Sequence, residues 1–458
     1  MTDDFSQASN SARNLALVPI VVALLFAPLG FGGTTPITVG VIDGLLLLSF
    51  LGWILFLLKE KRLPRLNSVC LGAIIFLQVY GVVCWLNPKS IFFESFWGFD
   101  EIVGAVSWLP GTIDKATTQQ AIIHYAALSM GLVVLIDLTR DRRIRSIVLK
   151  AIALSGFVIT VIGIAQKAGG AENMLWVHSE KPIVKFFAAF RYHANAAAFL
   201  NLSWPAALTV WLHCRTKKRG SLESSFWLTV LFFTVLAVFV NTSKAGHVLG
   251  LAGILICACR FRNEFFSGTY SKATLAVSAF LCLTVFCIVL LPSLSTSVEN
   301  WNGFIDRWGN VGGRITAYGY CINLLGDSGI YGKGPGTFHL IFPFYREDNG
   351  SIGGVYSHAH QDYLQAAIEW GFVGATAWLV LIGGGILRAS IFVRRLAKRR
   401  TIESSISCGL IALVLVLTHA LIDFPLQIPA IQLQVLVYLA IFWAVRMPRG
   451  SRKVRIKE

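Results

Sequence analysis

Apolar residues run along this chain in long blocks, parted by short polar stretches rich in Lys and Arg. A helix crossing about 30 Å of hydrocarbon needs roughly 20 apolar residues. Blocks of that kind lie near 15–32, 37–58, 68–86, 119–137, 147–166, 193–213, 226–241, 246–259, 273–292, 364–387, 405–423 and 429–446, which predicts twelve helices. Those at 226–241 and 246–259 are short and separated only by Asn241-Thr242-Ser243-Lys244-Ala245. They predict a helical hairpin with a tight turn. The first block is long, follows one Arg and two Asp, and has further spans behind it, so it reads as an anchor rather than a cleaved signal.

Composition turns this pattern into a fold class. Hydrophobic residues make up 55% and charged residues 14%. A soluble domain carries about 25% charged residues, and this chain could not cover a soluble surface. It reads as an all-α polytopic membrane protein. The net charge of +16 comes from 40 Lys and Arg against 24 Asp and Glu. If the N-terminus lies inside, 29 of the 40 cations fall in the N-terminal tail and the segments 59–67, 138–150, 214–225, 260–272, 388–404 and 446–458. The excess of cations in cytoplasmic loops then predicts that both termini are cytoplasmic. Charge spread over separate short loops argues against a nucleic-acid partner. The nine cysteines lie mostly in apolar blocks and include no CxxC, which predicts packing roles rather than disulfides or zinc.

The chain then divides into helices 1–9 over 1–292, a large outer loop over 293–363, and helices 10–12 over 364–458. Long loops without a disordered composition usually carry function. The loop at 293–363 is rich in Gly, aromatics and hydrogen-bonding side chains, so it predicts a folded cap at the outer face.

Four clusters at that face carry the candidate chemistry. Ser357-His358-Ala359-His360-Gln361-Asp362 leads into Gly371-Phe372-Val373-Gly374. A neutral histidine there can take a proton from a hydroxyl, with His358, Gln361 and Asp362 in support. Asp362 could orient His360 or cap the helix that follows, and the cap is preferred. Glycines such as Gly371 and Gly374 let neighbouring segments approach closely. Gly312-Gly313-Arg314 places a guanidinium fork in a turn. Thr242-Ser243-Lys244 places a cation between two short helices, where an anionic partner would relieve its desolvation. Phe190-Arg191-Tyr192-His193-Ala194-Asn195 places a cation and polar groups at a helix start, which favours anions. Each cluster also has a plain structural reading, as loop end, loop cation, snorkelling lysine or interfacial anchor. Together they make tools for a diphosphate leaving group and an activated hydroxyl. Gly332-Lys333-Gly334-Pro335-Gly336-Thr337 lacks phosphate-loop spacing and predicts a structural turn.

These residues resemble the O-antigen ligase and O-antigen polymerase family, most strongly over about 190–385. Arg314 followed by Gly332-x-Gly334-Pro335-Gly336-x-Phe338 is similar to one family block. His360-Gln361, nine residues, then Gly371-x-x-Gly374 matches the ligase histidine spacing. The turn at Lys244 resembles the family's turn but carries Lys where the family has Arg, a point charge in place of a fork. The resemblance implies a glycosyltransferase of the C type, metal-independent and inverting, with no cofactor. Its donor would be a glycan on undecaprenyl diphosphate, and its acceptor a glycan or the lipid A core. The enzyme would lie in the bacterial inner membrane, with its active face periplasmic. The family's histidine maps onto His360, its loop arginine onto Arg314 and its turn arginine onto Lys244, while Arg191 lies in the matching outer loop. Ligase is the preferred reading. A polymerase that joins repeat units, and a branch that transfers glycan to protein, use the same tools. A twelve-helix polysaccharide transporter is the rival from another class. It would use polar groups inside spans, of which Asp43 and His124 are the few candidates, and the chain shows no matching halves.

Overall fold

The structure is a computed structural model. It describes residues 2–95, 97–177, 185–216, 221–262, 264, 312–346, 357–395 and 400–446. The expected ninth helix at 273–292 lies outside them, as does most of the first half of the large loop.

Helices occupy the other eleven predicted blocks. They are α1 (Thr2–Leu29), α2 (Pro36–Lys59), α3 (Ser68–Leu86), α4 (Lys115–Leu138), α5 (Arg142–Ala168), α6 (His193–Thr216), α7 (Ser221–Val240) and α8 (Lys244–Arg260). After the large loop's own helix, α9 (Gly312–Ser328), come α10 (Asp362–Arg395), α11 (Arg400–His419) and α12 (Pro429–Ala444). A short antiparallel pair, β1 (Ser90–Phe93) and β2 (Gly98–Glu101), decorates the loop after α3. Helix starts follow from local chemistry. Thr35 makes a capping box before Pro36, and Asn67, Asp114, Asp141 and Ser243 each accept an amide N–H of their helix's first turn. One boundary differs from expectation: α11 stops at His419, four residues before the apolar block ends. Residues 420–428 form turns instead, including a 3-10 turn at Pro425–Gln427.

Among the described residues, seven helices are long and apolar enough to cross a membrane: α1 (from Asn10), α2, α3, α4, α5, α7 (from Leu222) and α10. Two shorter apolar helices lie at Ser404–His419 and Pro429–Ala444. Helix α6 is surrounded by protein. Ala196, Ala198, Phe199, Leu200 and Leu202 are fully buried, so small and polar side chains there face neighbouring helices rather than lipid. Across the packed core, α12 meets α6 through Gln434 Nε2 donating to Ser203 Oγ at 2.9 Å, and through Tyr438 OH donating to the Leu202 carbonyl at 2.7 Å. Against α5 the approach is close. A Cβ at Gly156 would lie 2.3 Å from the Ser203 Cβ, so any larger residue would push the two helices apart.

A smaller apolar cluster belongs to the large loop. Ala317, Tyr320, Cys321 and Leu324 of α9 pack with Phe338, Phe342 and Ala359, and against Ile368 of α10. This packing ties the described part of the loop to the helix that follows it.

Candidate functional site

Segments far apart in the chain meet around one carboxylate. At their centre is Asp423, in the turn after α11, with its side chain only 3% exposed. His360 Nδ1 lies 3.2 Å from Asp423 Oδ1, and Arg314 Nη2 lies 3.6 Å from Asp423 Oδ2. One carboxylate thus bridges the candidate base and the candidate loop cation. Burial alone would raise the Asp423 carboxyl. The His360 hydrogen bond and the Arg314 charge outweigh that and hold it below the usual carboxylate range.

Aromatic and backbone groups fix the other coordinates. Arg314 Nη1 donates to the Ile422 carbonyl at 3.0 Å, and Arg314 Nη2 to the Tyr192 hydroxyl at 2.9 Å. The Arg314 side chain remains 42% exposed. Tyr318, one turn along α9 from Arg314, donates its hydroxyl to the His360 carbonyl at 2.8 Å. His360 has φ of 52°, a left-handed conformation that a non-glycine residue adopts only when its surroundings hold it there. The Phe424 ring is the common wall. It stacks on Tyr192 at 5.6 Å and on His358 at 4.5 Å, and meets His360 edge-on at 4.8 Å.

The remaining expected residues have distinct places. His358 is held by its stack on Phe424, and its Nδ1 is buried without a hydrogen-bond partner. Burial, with His360 beside it, pulls its pKa down to about 4, so it is neutral over the physiological range. Gln361, rather than Asp362, caps α10: its side-chain oxygen accepts the Leu364 amide. Asp362 reaches across instead, and accepts the Leu426 amide at 2.8 Å and the Gln427 amide group at 3.0 Å. It braces the turn that carries Asp423. Asn195 is buried, and its side-chain oxygen has no hydrogen-bond partner.

Of the other two cations, Lys244 opens α8 directly after the Ser243 cap and is half-buried. Its turn is tied to α6. Asn241 donates to the His193 carbonyl at 2.9 Å, and Thr242 Oγ1 lies 2.7 Å from His193 Nδ1. His193 in turn meets Tyr192 edge-on, with ring centroids 5.1 Å apart. Arg191 takes a different direction, its guanidinium lying over the Phe31 ring at 5.7 Å.

The glycine block lies behind the site. Lys333 N donates to the Ile368 carbonyl at 2.8 Å, and Gly334 N to the Glu369 carbonyl at 2.9 Å. Gly336 N donates to Glu369 Oε2 at 3.0 Å. These N–H groups are spent on α10, as a structural turn requires. α10 is broken at Gly371, where φ is 63°. A Cβ there would lie 2.3 Å from the Ile330 carbonyl oxygen, and one on Gly332 would lie 2.4 Å from Gly371 N. The two glycine motifs, far apart in sequence, are thus the two sides of one close backbone contact. Gly374 sits where a Cβ would press on Trp370.

Sequence reasoning did not single out Asp423 or the roles of Tyr192, Tyr318 and Phe424. The signal for Asp423 was an acidic residue one turn after His419 at the end of an apolar block. Within an apolar block such a residue reads as part of a span. His419 itself is buried, with both ring nitrogens lacking a hydrogen-bond partner. Among the described residues, no group of three His, Cys, Asp or Glu side chains could hold a metal ion.

Residues 229–379 match the O-antigen ligase family model. The match takes in Lys244, Arg314, His360, Gly371 and Gly374, and it ends before Asp423. No curated protein matches the chain. Over that third of the chain the protein is similar to O-antigen ligases, and its several membrane-length apolar helices suit a multi-pass membrane protein.

Proposed function

We propose that this protein is an O-antigen ligase-like glycosyltransferase. It moves a glycan from undecaprenyl diphosphate to an acceptor hydroxyl, on lipid A core or a similar glycan, at the periplasmic face of the bacterial inner membrane. The observation that carries this reading is Asp423, placed between His360 and Arg314. A carboxylate accepts, so the His360 proton sits on Nδ1 and a neutral ring carries its lone pair on Nε2. That nitrogen takes the proton of the acceptor hydroxyl. The acceptor oxygen then bonds to the anomeric carbon from the face opposite the diphosphate, with inversion. The bond from that carbon to the diphosphate oxygen breaks, and the electron pair leaves with the phosphate. Asp423 stabilises the imidazolium that forms, and Arg314 offsets the charge gained by the leaving group. Lys244 is assigned to the same diphosphate, in a turn tied through His193 to Tyr192. Arg191 joins only if it leaves Phe31. Side-chain cations do the neutralising in this mechanism, without a resident metal, and the lipid tail lies between helices.

Complementation of a deletion strain with His360→Ala and Arg314→Ala, at matched membrane levels, tests the reading. Loss of surface glycan with a build-up of long lipid-linked chains is the expected result. A build-up of single repeat units identifies a polymerase instead. Wild-type glycan from both variants overturns the site and puts the transporter reading first.

A further inference from the structure

A second polar chain runs from the membrane-spanning helices up to the turn that carries Asp423. Asp43 of α2 and His124 of α4 meet at 2.7 Å, Oδ1 to Nδ1, with side chains only 14% and 13% exposed. His124 Nε2 lies 2.8 Å from Gln432 Oε1 of α12, and Gln432 Nε2 donates to the Leu426 carbonyl at 2.8 Å. Leu426 belongs to the 3-10 turn Pro425–Gln427, and its N–H is the one taken by Asp362. The Leu426 peptide is thus gripped from both sides. Asp362 holds its N–H and Gln432 holds its carbonyl.

The hydrogens along this chain follow from what each atom can do. A carbonyl only accepts, so Gln432 turns its NH2 to Leu426 and its oxygen to His124. That oxygen only accepts as well, so His124 carries a hydrogen on Nε2. The 2.7 Å contact between Nδ1 and Asp43 Oδ1 needs a hydrogen as well. The hydrogen on Nε2 is therefore fixed whichever of His124 and Asp43 holds the other, and the pair dictates which way the Gln432 amide faces. With no acid beside Nδ1 the neutral ring is free to carry its hydrogen there, which offers Gln432 a lone pair, lets the amide reverse and sets its oxygen against the Leu426 carbonyl. A polar pair within membrane helices is costly unless each member has a partner, and here its hydrogen bonds lead to the candidate site. Three residues before Leu426 stands Asp423, and two before it stands Phe424, the wall shared by His358, His360 and Tyr192.

We propose that the Asp43–His124 pair, acting through the Gln432 amide, sets the position of the turn that carries Asp423 and Phe424. Asp43, His124 and Gln432 are then positioning residues for transfer. The proposal rests on the reading of His360, Asp423 and Arg314 as the transfer site.

Two near-isosteric variants of the full chain test it. Asp43→Asn, whose amide can face Nδ1 with its oxygen or its NH2, no longer fixes the hydrogen on Nε2 or the direction of the Gln432 amide. Gln432→Glu keeps the Asp43–His124 pair and an acceptor for His124, but replaces the donor to Leu426 with a carboxylate oxygen. The assay is transfer from an undecaprenyl-diphosphate glycan in detergent, with KM and kcat measured separately. A displaced catalytic group lowers kcat, here on the order of tenfold. KM for the donor and the melting temperature stay near wild type. In an Asp423→Asn background each substitution lowers the rate by a smaller factor, because the turn has lost one of the groups it was placing. If Asp43→Asn does not accumulate, Gln432→Glu carries the test alone. Equal fold-losses in both backgrounds, wild-type kcat, or a loss confined to stability overturns the positioning role. Wild-type transfer by Asp423→Asn itself overturns the underlying site instead, so the two failures are told apart.

Discussion

Two buried aspartates at opposite ends of this protein meet arginine in opposite ways. Asp137, at the end of α4, has a fully buried side chain. Arg62 grips it with both Nη atoms, at 3.0 and 2.7 Å, Trp53 Nε1 donates at 2.9 Å and the Arg65 amide at 3.1 Å. Two donors on each oxygen saturate the carboxylate, in a bidentate geometry that suits burial. Asp423 is almost as buried, but its partners are of another kind. The Arg314 contact is longer, at 3.6 Å, and Arg314 is 42% exposed, while the second partner is a histidine that can gain or lose a proton. Burying a carboxylate among fixed donors makes a clamp. Burying one beside a titratable ring and a reachable cation makes a group that can answer an incoming anion. The first ties helices together, and the second is suited to chemistry.

Exchange of each carboxylate for an amide probes this contrast. Asp423→Asn should lower transfer about 10²- to 10³-fold with little change in melting temperature, because the His360 tautomer and its imidazolium lose their partner. Rates measured at matched protein levels decide it, and a large stability loss would make Asp423 another clamp. Asp137→Asn should do the reverse. It leaves the partly buried Arg62 without its counter-charge, so stability drops by about 2 kcal/mol, while transfer per folded molecule stays near wild type. Thermal unfolding in detergent, followed by a rate per folded molecule, separates the two effects.

The smallest expected effect concerns pH. His358 titrates near pH 4 in the folded protein because of its burial, against about 6.5 for an unfolded histidine. Between those values the unfolded chain binds a proton there that the folded chain does not. Its contribution therefore turns against the fold as pH drops through that window, and levels off below it. His358→Asn should flatten that part of the melting-temperature profile. For Asp423 the sign is opposite. Its native pKa lies below the unfolded value, so its stabilisation is complete above the ordinary carboxylate range and fades only as pH falls through the native pKa. A fall in transfer rate between pH 7 and 5 would then have to come from another group.

Much of this protein could be read directly from its residues. Apolar blocks of membrane length placed eleven helices where the structure has them, since lipid forces each spanning segment to satisfy its own backbone hydrogen bonds locally. The spacings around Arg314, Lys244 and His360 marked the candidate chemistry for the same local reason, each motif being a few residues close together in the chain. What stayed hidden was contact across the chain. Asp423 sits at the end of an apolar block, where an acidic residue reads as a boundary. Only packing of the last helices brings it 63 positions back along the chain to His360 and 109 back to Arg314. The hydrogen-bond direction of Asp362, the backbone contact between Gly332 and Gly371, and the polar chain from Asp43 to Leu426 are likewise meetings of distant segments. The sequence by itself determined the helices, the membrane setting and a short set of reactive side chains, because those depend on composition and near neighbours. Only the tertiary structure decided which of them share a carboxylate, because that depends on how helices far apart in the chain pack together.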